Sequence, residues 1–128
     1  MKVSFSLSNT KKRKEMISSN DRLHYAVKAK LTAQLRAQAR LKTLGSVNVP
    51  YSPKKPCRVL ITVYSPTRRK LDPPNLYPTV KALIDGMTDA GVWTDDNHEV
   101  IKSMTFTYGG LSGDEKYRIE IEVEGERK

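Results

Sequence analysis

Cysteine is nearly missing from this chain: Cys57 is the one thiol in 128 residues. That excludes an internal disulfide and leaves no partner for a thiolate metal site. No apolar run approaches the roughly 18 residues that a membrane-spanning helix needs. The opening MKVSFSLSNTKKRK has neither the apolar stretch nor the small-residue cleavage site of a secretory signal. These absences set the expectation of a cytoplasmic protein that makes no use of a membrane. Internal repeats and low-complexity tracts are lacking too. The length then suits one domain over residues 1–128, with a core small enough for a dimer interface to add to it. Carboxylates are scarce in one part of the chain. Residues 1–70 carry 17 Lys and Arg against 2 Asp and Glu, whereas residues 71–128 carry 6 against 12. A positive field of this size, +9 over the whole chain, attracts polyanions, of which nucleic acid is the commonest.

What is present falls into strand-like and helix-like segments. Residues 2–7 alternate Val3, Phe5 and Leu7 with polar neighbours, the period of a half-buried strand. Residues 8–20 read as a polar, basic connection carrying Lys11, Lys12 and Arg13. Ser19 or Asn20 then offers an N-cap for a helix to about residue 44, closed by Gly45. Leu23, Val27, Leu31 and Leu35 recur at i+4, with Leu41 and Leu44 extending the apolar face. Beside them runs a row of His24, Lys28, Thr32, Arg36 and Arg40, an edge suited to a phosphate backbone. Residues 45–56 hold three prolines and read as a loop; Tyr51, Lys54 and Lys55 add weak nucleic-acid candidates. The β-branched run at 57–64 predicts a central strand. A second helix is expected over 76–90, capped by Asn75 and stopped by Gly91, with Leu76, Val80, Leu83, Ile84 and Met87 facing the core. Lys81, Asp85 and Asp89 form a row off that core. Residues 100–108 and 117–123 alternate as two antiparallel strands joined by GGLSGDE, and the tail 125–128 reads as loose.

The stretch from Arg68 to Glu99 organises the rest. Three cations, Arg68, Arg69 and Lys70, lead into the turn at Asp72; the helix follows, and a second acidic turn, Asp95-Asp96, closes it. If the helix packs beneath them, Asp72, Asp95 and Asp96 can meet around a hard divalent cation such as Mg²⁺. Lys81 would neutralise negative charge developing on a phosphate, and Asp85, one turn on, is a reserve ligand. The same residues also suit ordinary turns and caps. His24 and Trp93 have plainer readings as well, a structural helix-face histidine and a core plug.

That stretch resembles the signature of the RusA family of Holliday junction resolvases. The matching residues are Arg68 and Arg69, Asp72 and Asn75, Lys81 with Asp85, and Gly91-Val92-Trp93-Thr94-Asp95-Asp96. Asn20-Asp21-Arg22-Leu23-His24 resembles a further motif of the actinobacterial and phage branch. The resemblance implies an α+β fold in two layers, a mixed sheet of about four strands packed against two main helices. It also implies a homodimer that makes paired symmetric nicks in four-way DNA junctions. Asp72 and Asp96 would be metal ligands, Asp95 their neighbour and Lys81 the catalytic cation, with Mg²⁺ as cofactor and Mn²⁺ able to replace it. Arg22, His24, Lys28, Arg36 and Asn75 would join the cations at 11–13 and 68–70 on DNA. Two departures matter: Pro74 stands where the family's turn has a second aspartate, and three extra residues separate Asn75 from Lys81. Either Asp85 or Asp95 then replaces the lost carboxylate. The rival expectations are a non-catalytic nucleic-acid-binding module and a fork or flap nuclease of the same fold.

Overall fold

Strand β2 (Cys57–Ser65) alternates buried and accessible residues along its whole length, which is why it can sit inside a sheet with one face packed. A computed structural model describes residues 1–126 and gives an α+β fold in two layers. The element order is β1 (Lys2–Leu7), α1 (Tyr25–Thr43), β2, a 3₁₀ turn (Pro73–Leu76), α2 (Tyr77–Asp89), β3 (Ile101–Leu111) and β4 (Tyr117–Gly125). The four strands form one mixed sheet in the order β1-β4-β2-β3. β2 pairs with β3 in parallel and with β4 antiparallel. A parallel pair needs a crossover, and the segment from the 3₁₀ turn through α2 supplies it.

The two C-terminal strands are therefore not a hairpin, because β2 lies between them. Alternation fixes which face a strand buries, not which strand it pairs with. The Ser112 N–H donates to Ser65 O at 2.8 Å, so the 112–116 turn crosses over the end of β2. Gly125 belongs to β4, and the Glu126 N–H donates to Pro56 O at 2.9 Å. Gly125 and Glu126, expected in a loose tail, are thus tied to the sheet, and positions 127–128 of that expected tail lie outside the described residues.

The helices cover the sheet face formed by Phe5, Leu7, Val59, Ile61, Val63, Ile119, Ile121 and Val123, all buried. α1 starts at Tyr25, later than the predicted cap. Ser18 and Asp21 bond each other in a turn, and the Ser19 N–H donates to Asn75 O at 2.7 Å. Docking against the 3₁₀ turn thus holds 18–21 out of the helix. His24 takes the cap instead, its Nδ1 accepting from Ala26 N at 3.2 Å. Along α1 the buried stripe is Leu31, Leu35, Ala39 and Thr43. Val27, Leu41 and Leu44, expected on it, are exposed. Asn75 does not cap α2 but sits within the 3₁₀ turn that precedes it.

The 8–20 connection is less polar than its composition, for Met16 and Ile17 are core residues. Thr79 fixes them. Its hydroxyl accepts from the Ile17 N–H at 2.7 Å and donates to Ile17 O at 2.6 Å, with all three groups buried. Thr79→Val keeps the shape and strands both backbone groups, at a cost of about 2–3 kcal/mol. Thr79→Ser should restore most of it. Urea unfolding of the two variants checks this, and equal stability in both would contradict it.

Candidate active site

The i, i+4 spacing of Lys81 and Asp85 places them together on the flank of α2, and Lys81 Nζ donates to Asp85 Oδ1 at 2.7 Å. A third group arrives from beyond the helix. Gly91, at φ +83, ends α2 with the left-handed residue that suits glycine. Val92 and Trp93 then plug the core, as expected, and Trp93 Nε1 donates to Thr88 Oγ1 at 2.6 Å. Tyr51 clamps this segment from the side through Val92 O and the Thr94 N–H. The next turn is held by its own side chains. Asp95 accepts from the Asp96 N–H at 2.7 Å and from Asn97 Nδ2 at 3.2 Å. This anchoring delivers Asp96 Oδ2 to 2.6 Å from Lys81 Nζ.

Two carboxylates from different elements thus converge on one cationic point. The Asp85 and Asp96 hydrogen bonds, in that order, hold the Lys81 ammonium well above its usual range. Asp96 is held below the usual carboxylate range, chiefly by the Lys81 hydrogen bond and against the pull of burial. A depressed folded value means that the stability from Asp96 is present above its ordinary 3.8 and is lost as pH falls through the depressed value. Lys81 is the opposite case, with its share present below 10.5 and lost at higher pH. Asp96→Asn should therefore lower the melting temperature at pH 7 while the gap from wild type narrows below pH 3.8. A gap that stays constant with pH would contradict this.

The centre opens on a groove of about 320 Å³ between α1 and α2, lined by Lys28, Thr32, Tyr77, Pro78, Lys81 and Asp85 among others. Lys28 is exposed there. Arg36, one helical turn past Thr32 at the groove's edge, is already taken. It grips Asp89 with Nε at 2.5 Å and Nη2 at 2.8 Å, a bidentate pair that uses the guanidinium face a phosphate would need.

Asp72 does not join the group. It precedes the 3₁₀ turn, is exposed, and its carboxylate makes no hydrogen bond or ion pair among the described residues. Asp95 is turned into its own loop. No cluster of three or more His, Cys, Asp or Glu side chains close enough for a metal exists among the described residues. The three-carboxylate cluster of Asp72, Asp95 and Asp96 expected from the sequence is therefore not found among the described residues. Arg22, Arg68, Arg69 and Lys70 are exposed, as are Lys11, Lys12 and Arg13. Asn75 is half-buried and His24 serves as a cap.

No family model and no curated protein matches the chain. Among solved structures it is similar to thiamine monophosphate kinase from Aquifex aeolicus, at 13% sequence identity and a TM-score of 0.33. The likeness covers 99% of this chain and 33% of that one, so the chain spans about a third of that protein's length. A likeness so slight carries no argument. No helix among the described residues is long and apolar enough to cross a membrane.

Proposed function

We propose that the protein is a Mg²⁺-dependent endodeoxyribonuclease that acts on branched DNA in the cytoplasm of a bacterial host, in phage or prophage recombination. One observation carries the reading: Asp85 and Asp96 converge on a single cation beside a groove that α1 lines with Lys28. Mg²⁺ commonly takes one or two protein carboxylates, keeps waters and completes its shell on substrate phosphates, so this donor pair fits it. Asp85 and Asp96 would hold the ion, and of the two candidates for the carboxylate lost at Pro74 this favours Asp85 over Asp95. When bound, the ion supplies an activated water and relief of phosphate charge.

The chain's own groups do the remainder. Lys81, its proton firmly held, is a cation for the phosphate once its carboxylates have another partner. Lys28 lines the groove with Lys81 and would receive the backbone, and the exposed Arg68-Arg69-Lys70 segment supplies further cations for DNA. The resemblance of residues 68–99 to the RusA signature favours a four-way junction as substrate. Two opposed nicks in a symmetric junction suit a two-fold dimer.

A second reading has its own observation. The Lys81 ammonium already satisfies both carboxylates, which is what a non-catalytic binding module with structural acids would show. Incubating four-way junction, fork, flap and duplex at one salt concentration with Mg²⁺, Mn²⁺ or EDTA separates the two. The nuclease reading expects paired nicks in the junction with either metal and none in EDTA. Binding without nicks under all three conditions would overturn it.

A further inference from the structure

We infer that α1 is a partition between two phosphate-holding grooves, and that the cleft on its far flank takes a second nucleic-acid backbone, parallel to the one at the Lys81 centre. This rests on the nucleic-acid reading of the protein but not on catalysis. Each residue turns an α-helix by about 100°, so residues two apart point to nearly opposite sides. Lys28 and Thr32 face the groove shared with α2. Lys30 and Gln34 face the other way, and with Lys12, Arg13 and Lys14 they line a cleft of about 410 Å³.

The outer wall of that cleft is preformed. Residues 8–15 fold into a tight turn in which Glu15 N donates to Ser8 O at 2.8 Å and Ser8 N to Glu15 Oε1 at 2.7 Å. Its tip is closed by Thr10 N on Arg13 O at 3.1 Å and Arg13 N on Thr10 Oγ1 at 3.0 Å. Holding cations in place before binding spares the cost of ordering them. The charges are not all spent internally. Lys14 is paired with Asp21 at 3.0 Å, and Arg13 stands 3.7 Å from Glu15. Lys12 and Lys30 are exposed and make no ion pair among the described residues. The cleft therefore keeps an unbalanced positive charge, which suits a polyanion. The flanks lie a helix width apart, about 10–12 Å with side chains, comparable to the roughly 12 Å of a duplex major groove. The partner this spacing fits is a duplex whose two backbones straddle α1.

The test is equilibrium binding of the full chain, in EDTA to prevent cutting, to a blunt duplex and to one of its strands, across a salt series. The Lys12→Ala/Lys30→Ala variant should flatten the duplex plot of log affinity against log salt by about 2, one unit per lost phosphate contact. Its single-strand slope should stay at the wild-type value. A Lys102→Ala/Lys116→Ala variant, which removes the same charge elsewhere, should leave both slopes unchanged. An unaltered duplex slope in the first variant, or equal flattening on duplex and single strand, would overturn the second backbone. Wild-type protein that binds neither probe would instead overturn the nucleic-acid reading itself.

Discussion

Gly86→Ala should destabilise the protein by about 2–4 kcal/mol, although the same change on an exposed helix surface would stabilise it by about 1 kcal/mol. Gly86 is buried in the middle of α2 at its crossing with α1. A methyl there would collide with the Arg36 carbonyl oxygen and come within 2.8 Å of Ala39 Cβ. One obstacle is backbone, so the helices must separate. Separation also pulls Arg36 off Asp89 and shifts Lys81 and Asp85 relative to Lys28. Two effects of opposite sign meet at this residue, and overpacking is the larger. Urea unfolding of wild type and variant measures it directly; an unchanged or higher midpoint would show that the helices are not in such close contact.

Gly86 also shows where the sequence is silent. A glycine inside an amphipathic helix signals either a weak point or a close approach, and only the partner helix decides which. The elements themselves were legible, because burial stripes and strand alternation are local properties of the chain. β2, the core face of α2 and the Val92-Trp93 plug can all be read from periodicity. Strand order could not be read, since β3 and β4 would alternate identically as a hairpin or as separate neighbours of β2. Nor could the burial of Met16 and Ile17, which depends on a hydroxyl 62 positions away. At the site, the i, i+4 spacing foretold the Lys81–Asp85 pair. The arrival of Asp96 depends on how the loop is clamped by Tyr51 and Trp93. Asp72 reads as a ligand from its chemistry and its place in the signature. Which carboxylates meet is decided by the folding of loops distant in sequence, and no cluster of three forms among the described residues. Arg36 looked free in the sequence because its counter-ion lies on another helix.

Lys81→Met is the second large expectation. Removing one preorganised donor to developing charge typically costs about 10²–10³ in rate, and single-turnover cleavage of a four-way junction in Mg²⁺ should fall by that much. Metal binding should move the other way. Without the ammonium, Asp85 and Asp96 face each other unsatisfied, so calorimetric titration with Mn²⁺ should show tighter binding than in wild type. A lysine that served only to neutralise two structural acids would give the tighter Mn²⁺ binding without any cleavage to lose. Weaker Mn²⁺ binding in this variant would mean that the ammonium does not occupy the place of the metal.

The most direct measurement compares Asp85→Asn with Asp95→Asn in single-turnover nicking of a four-way junction at saturating Mg²⁺, with junction binding measured in parallel. If Asp85 and Asp96 together hold the ion, Asp85→Asn should lose more activity than the roughly 10–100-fold typical of a group that merely orients a ligand. Asp95→Asn, whose side chain can still close its turn, should stay within that range, and both should bind the junction as wild type does. Cleavage that survives in Asp85→Asn and disappears in Asp95→Asn would contradict the account.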